Sequence, residues 1–139
     1  MSAVTEPLRD DVGAVLLPRD VLAVRGPDAV TFLQGQLAQD VAALAHGASA
    51  DSLLLQPTGK VDALLRITRT GEEEVVLDVD GGHGDAVAAR LARFRLRVKA
   101  DIEPLPWRCV ALRGPRAHDV ADAAVVTDAG GLALPADWP

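Results

Sequence analysis

An antiparallel sheet flanked by helices is what this sequence predicts, and three observations predict it. Residues 51–80 carry three apolar, strand-length runs divided by Pro57-Thr58-Gly59 and Thr70-Gly71, which is the turn chemistry of a meander. Val30, Leu33, Leu37 and Val41 recur at spacings of three and four, as do Val87, Leu91 and Phe94, and that is helical periodicity. Residues 94–103 alternate apolar and polar side chains, the period of a half-buried strand.

The elements follow in order. "AVLLP" (14–18) and "DVLAVRG" (20–26) read as short strands separated at Pro18-Arg19. Pro27 stands where a helix begins, and the periodic residues carry that helix over about 27–40. His46-Gly47 closes it, "DSLLLQ" (51–56) is a buried strand, and "KVDALLRITR" (60–69) returns beside it as a hairpin partner. "EEVVLDVD" completes the meander, a Gly-rich loop over 80–84 leads to a second helix, and "FRLRVKADIE" reads as a strand. Pro104 and Pro106 break the chain, so we expect one unit over 1–103 and the start of a second, incomplete one over 104–139. There "RCVALRG" repeats the strand, Pro115 to Ala123 a helix and "AAVV" a further strand.

With 139 residues the chain holds one ordinary domain and its core. Phe32, Phe94, Trp107 and Trp138 are its only aromatic residues, so that core must be built from Leu, Val, Ala and Ile. A net charge of −6 argues against a broad nucleic-acid surface, which needs many cations to displace phosphate counterions. Cys109 is the only cysteine, which excludes a disulfide framework and fits a reducing compartment. The opening residues lack a signal-peptide pattern and no apolar run reaches membrane-spanning length, so a cytoplasmic protein without membrane contact is expected.

Several residues are candidates for chemistry. "LAVRGPDA" (22–29) and "VALRGPRA" (110–117) are nearly the same phrase, and each places a Gly at the passage from strand to helix. A helix start can hold an anion, but Pro27 and Pro115 each remove a donor, so a tight corner is the favoured reading. Arg95, Arg97 and Lys99, preceded by Arg90 and Arg93, form a basic stripe that either grips phosphate or carboxylate or is a solvated strand face. His46, His83 and His118 lack metal-ligand spacing, and Cys109 reads as a small buried thiol. Gln34 and Gln36 either bond a polar ring or decorate a helix surface. Asp62 is a lone carboxylate in an apolar strand; by alternation it opposes Val61, Ala63 and Leu65. It either points to solvent or faces a cleft, where it would accept a hydrogen bond from an amine or pterin nitrogen, and both readings stand open.

The run from Gly26 to Val41, "GPDAVTFLQGQLAQDV", resembles without gaps the G-x-D-x3-F/Y-L/M-Q-G-Q-x3-D-V segment of the folate-binding iron-sulfur-assembly and tRNA-modifying proteins, relatives of the glycine-cleavage T-protein. "TGKVDALLRITR" (58–69) is similar to that family's K/Q-G-K/R turn and strand, and "LARFRLRVKADI" (91–102) to its L-x-x-Y/F-x-L/V-x-x-K-V/A-x-I stretch. "VALRGPRAHDVAD" is similar to the segment that opens its next part. The resemblance implies an α+β fold of the T-protein type, an antiparallel or mixed sheet with flanking helices, truncated at the C-terminus. It implies a tetrahydrofolate ligand, no directly bound metal, and a role in iron-sulfur cluster assembly or repair, with tRNA modification as one route. Iron-sulfur assembly proteins or client enzymes are the implied partners. On this reading Gln34, Gln36, Lys60 and Asp62 lie near the pterin ring, Arg95 and Arg97 meet anions, and Asp62 is the candidate catalytic group.

Two departures separate the family's branches. In the aminomethyltransferases a G-G-I/V-x-D-D strand supplies the acid; aligned on Gly59, that position holds Ala63, with Asp62 one residue early. A one-residue offset reverses the face, which counts against methyl transfer unless the register shifts. Arg19 stands where a family member uses an aromatic side chain beside the folate. The family's K-G-C-Y/F-x-G-Q-E segment is absent, and Cys109 is no substitute for it. The rival expectations are an aminomethyltransferase and a non-catalytic fragment that needs a missing segment or partner chain, with an apolar patch around Leu132, Leu134 and Trp138.

Overall fold

The computed structural model describes residues 13–116. In chain order they form β1 (Gly13–Leu17), β2 (Arg19–Arg25), α1 (Ala29–Gln36), β3 (Ser49–Leu55), β4 (Val61–Gly71), β5 (Glu74–Asp80), α2 (Gly84–Arg93), β6 (Asp101–Leu105) and β7 (Cys109–Arg113). The expectations for residues beyond Arg116, including His118, the later strand and the patch at Leu132, Leu134 and Trp138, lie outside the described residues.

The meander forms as its turns require. β3, β4 and β5 pair antiparallel in succession, and β2 and β6 extend the sheet to the order β3-β4-β5-β2-β6. This five-stranded sheet and its two helices belong to a compact unit spanning Pro18–Arg108. β1 and β7 form a separate antiparallel pair in a second unit, although they had been expected in different parts of the chain.

Both helices cover one face of the large sheet. Phe32 and Leu33 of α1 and Val87 and Leu91 of α2 pack into one cluster with Leu22, Val24, Leu54, Leu65, Ile67, Val75, Leu77 and Val79. Among the described residues Phe32 alone brings an aromatic ring to that core, in keeping with the few aromatic residues in the chain. Each fully buried Leu in it contributes about 2 kcal/mol of transfer free energy.

Three local features depart from the sequence reading, each for a visible reason. α1 stops at Gln36 rather than near residue 40, because Leu37 turns extended and bridges Leu54 while Ala38 N–H donates to the Leu53 carbonyl at 3.0 Å. Leu37 and Val41 remain buried, and the segment from Leu37 to Gln39 covers the edge of β3. The strand expected over 94–103 begins only at Asp101. Arg97 adopts φ 59° and Leu96 is 81% exposed, so the alternation is not one buried face and the basic residues do not form a strand stripe. Pro104 lies inside β6, on the sheet edge where its missing N–H is tolerated. Cys109, expected buried, is half-buried at the start of β7.

The Arg-Gly-Pro corner explains why residues 94–100 leave the strand path. Gly26 has φ 140°, and a Cβ there would stand 2.3 Å from the Lys99 carbonyl oxygen. That carbonyl accepts the Asp28 N–H at 3.1 Å, and the Lys99 N–H donates to Asp28 Oδ2 at 2.8 Å. The first corner is therefore a clamp on the chain entering β6, with its donors spent on protein rather than on an anion. Gly114 repeats the positive φ, at 123°.

α2 is started from a distance. Asp20 of β2 accepts hydrogen bonds from Gly82 N–H at 3.0 Å and Gly84 N–H at 2.9 Å, supplying the carboxylate that helix N-termini favour. A Cβ on Gly84 would lie 2.7 Å from that of Asp20, so the contact requires glycine. Arg90 and Arg93 occupy the last turn of α2, where cations favour the helix dipole.

Candidate functional site

A pocket of about 520 Å³ lies between the β3–β4 turn and α2. Leu54 and Phe94 supply apolar wall, and Gln56, Thr58, Asp62 and Arg90 supply polar groups. Its volume falls within the range of small-molecule sites, roughly 300–1,000 Å³.

Asp62 reaches this pocket through a β-bulge. Leu54 pairs with Ala63 but Leu55 pairs with Val61, which leaves Asp62 as the extra residue on β4. Bulges re-aim side chains, and exposure along β4 shows the re-aiming. Leu65 and Ile67 are buried beneath the helices, Leu64 on the opposite face is 65% exposed, and regular alternation would send Asp62 outward with Leu64. Instead Asp62 meets α2, while Val61, which alternation places inward, is 55% exposed. The side-chain parity reverses at the bulge.

Both carboxylate oxygens of Asp62 hold one protein donor. Gln56 Nε2 donates to Oδ1 at 2.6 Å and Arg90 Nε to Oδ2 at 2.9 Å. A carboxylate offers about four lone-pair sites, so acceptor capacity remains for a ligand N–H. Arg90 also donates to Gln36 Oε1 at 3.2 Å and to the Leu55 carbonyl at 2.7 Å, and its guanidinium lies 4.1 Å from the centre of the Phe94 ring. Thr58 Oγ1 is 3.5 Å from Gln56 Oε1, a long contact at the mouth of the turn.

The residues singled out from sequence therefore divide. Asp62 and Gln36 are joined through Arg90. Gln34 is committed elsewhere, its Oε1 accepting the Ala42 N–H at 3.0 Å and bracing the chain after α1. Lys60 is exposed in the turn and is not among the pocket's lining residues. Arg95 lines a second cavity of about 330 Å³ beside Gly26, Pro27 and Lys99, where it donates to the Ala100 carbonyl at 2.8 Å and lies 3.5 Å from Asp101. Arg97 is exposed on the loop before β6. Arg19 is taken by ion pairs to Asp78 and Asp80, both at 2.7 Å. The sequence alone does not mark Gln56 and Phe94 as site residues, and it marks Arg90 only as the leading edge of the basic stripe. A polar residue closing the run "DSLLLQ" was the available signal for Gln56.

A charge cluster lies away from this pocket, on the β5-β2-β6 side of the sheet. Hydrogen bonds from Thr70 and Arg25 hold the Glu74 carboxyl below its ordinary value, and Arg25 in turn is raised, chiefly by that same bond to Glu74. Arg25 bridges Glu74 and Glu103 across three neighbouring strands.

Comparison with known proteins agrees with this architecture. The chain is similar to the glycine cleavage system aminomethyltransferase T of Bartonella henselae, with a TM-score of 0.74 and 32% identity over 93% of this chain and 34% of that one. It is 31% identical to an aminomethyltransferase of Rubrobacter xylanophilus over 80% of this chain and 30% of that protein. It is 28% identical to an uncharacterized protein of Haemophilus influenzae over 69% of this chain and 34% of that one. The chain thus spans about a third of the length of these relatives. Its fold is the α+β arrangement of the glycine-cleavage T-protein, with antiparallel sheets and two helices among the described residues. The GCVT N-terminal domain model matches residues 20–135, and the chain belongs to that family.

Proposed function

We propose that this chain binds tetrahydrofolate in the pocket at Asp62 and serves iron-sulfur cluster assembly or repair. The observation that carries the folate reading is the fixed carboxylate of Asp62, with acceptor capacity to spare, opening into a pocket with Leu54 and Phe94 as apolar wall. A reduced pterin presents amine and ring N–H donors along one edge of a flat apolar body. That donor set suits Asp62 and Gln56, and the body suits the wall residues. Arg93 lines the same pocket and suits the carboxylates of a folate tail. Tetrahydrofolate, when bound, carries one-carbon groups; the protein's own part is to accept hydrogen bonds at Asp62 and to hold the ring edge in register.

The iron-sulfur role rests on the gapless resemblance of the "FLQGQ" segment, with assembly proteins or client enzymes as partners and tRNA modification as one route. Calorimetry of the chain with tetrahydrofolate tests the ligand. A binding isotherm weakened by Asp62→Asn is expected; no heat and no thermal shift at millimolar ligand would refute it.

Aminomethyl transfer is a second reading, favoured by the bulge, which brings Asp62 to the pocket despite its one-residue offset from the family's acid. On that reading Asp62→Asn abolishes folate-dependent transfer, whereas on the first it weakens binding and there is no transfer to lose.

A further inference from the structure

We propose that Arg90 is the positioning residue of this pocket, acting on the ligand through Asp62 rather than as a contact of its own; the proposal rests on the folate reading. Arg90 divides its guanidinium among three elements. Nε goes to Asp62 on β4, Nη1 to Gln36 on α1, and Nη2 to the backbone of Leu55 on β3. Its side chain is only 12% exposed, and the Phe94 ring lies against it.

The placement relative to the bulge is what gives this fork a function. Leu55 and Val61 are the last pair of the β3–β4 ladder, and Asp62 is the unpaired residue beside them. Arg90 therefore bonds both strands at the irregular step, one through a carbonyl and one through a carboxylate. With Gln56 on Oδ1 and Arg90 on Oδ2, Asp62 is held from two directions and its carboxylate plane cannot turn without losing a charge-assisted bond. The lone pairs that remain face a constant direction, which is what recognition of a ligand N–H demands. A lysine would bring the charge but not the fork, since one ammonium on a flexible stem cannot reproduce three divergent planar N–H bonds.

A residue that merely supports the fold, one that supplies only charge, and one that positions Asp62 differ in a double-mutant cycle. Tetrahydrofolate affinity is measured by calorimetry for the 139-residue chain and its Arg90→Lys, Asp62→Asn and double variants. Arg90→Lys is expected to weaken binding about tenfold in the presence of Asp62 and less than about twofold in the Asp62→Asn background, because the two act as one unit. Equal losses in both backgrounds, or wild-type affinity for Arg90→Lys, would overturn the proposal. Should the lysine variant fail to fold, Arg90→Gln, which keeps an N–H donor without the charge, takes its place in the cycle with the same expectation.

A second arm needs no ligand. The Gln56 side-chain amide, donated to Asp62, is followed by proton–nitrogen NMR, and its resonances are expected to shift in Arg90→Lys while those of the distant sheet stay in place. Superposable Gln56 signals overturn the role of Arg90. If wild type binds no tetrahydrofolate, the folate reading fails by itself, and the amide arm alone decides whether Arg90 positions Asp62.

Discussion

Replacing Gly26 by alanine tests the reading of the Arg-Gly-Pro corner as a clamp. Two costs can be worked from the structure. The backbone stands at φ 140°, a region that side-chain-bearing residues occupy at a cost of about 1–3 kcal/mol. The added Cβ would lie 2.3 Å from the Lys99 carbonyl oxygen and 3.0 Å from the Ala100 Cα, so residues 99–100 must move. Movement loosens the reciprocal pair between Asp28 and Lys99, at about 1 kcal/mol for each hydrogen bond. The sum is about 3–5 kcal/mol, a large share of the roughly 5–15 kcal/mol that holds a domain together. Urea denaturation of wild type and Gly26→Ala measures it directly, with the loss appearing as a lower midpoint at an unchanged slope. A loss below about 1 kcal/mol would refute the clamp, because strain and contact would then both be absent.

Three further outcomes follow from the same contacts. Leu65→Ala, at a 1% exposed core position, should cost about 2–5 kcal/mol in the same denaturation experiment. Asp20→Ala removes the acceptor shared by Gly82 and Gly84 and should cost about 0.5–2 kcal/mol, with amide exchange accelerating first in the opening turn of α2. Glu74 has a folded-state pKa below its unfolded value, so its stabilising share is present above the ordinary Glu value of about 4.3 and is lost as pH falls through the depressed one. Thr70→Ala removes the largest cause of that depression, so melting temperatures of variant and wild type should converge toward low pH.

How much of this was legible in the sequence depends on whether the determinants are local. The meander was, because Pro57-Thr58-Gly59 and Thr70-Gly71 state their turns within a few residues of the strands they join. The apolar repeat through Val30, Leu33, Leu37 and Val41 marks core-facing residues, the last three buried, but overruns the helix, since the pull of the β3 edge on Leu37 and Ala38 is a tertiary contact. The false strand over residues 94–100 has the same origin. Its alternation is genuine, yet Lys99 is claimed by Asp28, a partner 71 positions away. In the pocket, Asp62 was visible as an odd acid in an apolar strand, whereas Arg90 looked like one more cation in a basic run. What distinguishes Arg90 is the meeting of three elements at one guanidinium, and no window of sequence contains that meeting.

The bulge changes what the one-residue offset of Asp62 means. Counting alternation back from Leu65 puts Ala63 inward and Asp62 outward, which holds only while the ladder is regular. At Leu55 and Val61 it is not regular, and the face presented beyond that point reverses. Val61 takes the exposed place that Asp62 would have had, and the Asp62 carboxylate turns to meet Arg90 of α2. An acid one position early in sequence can thus occupy the side of the sheet that the family's acid requires. Register then ceases to separate a folate-binding module from an aminomethyltransferase. On the proposed folate reading, the separation passes to chemistry at Asp62, where Gln56 and Arg90 already hold one acceptor site on each oxygen and the remaining sites would either orient the ring or act on the group that it carries.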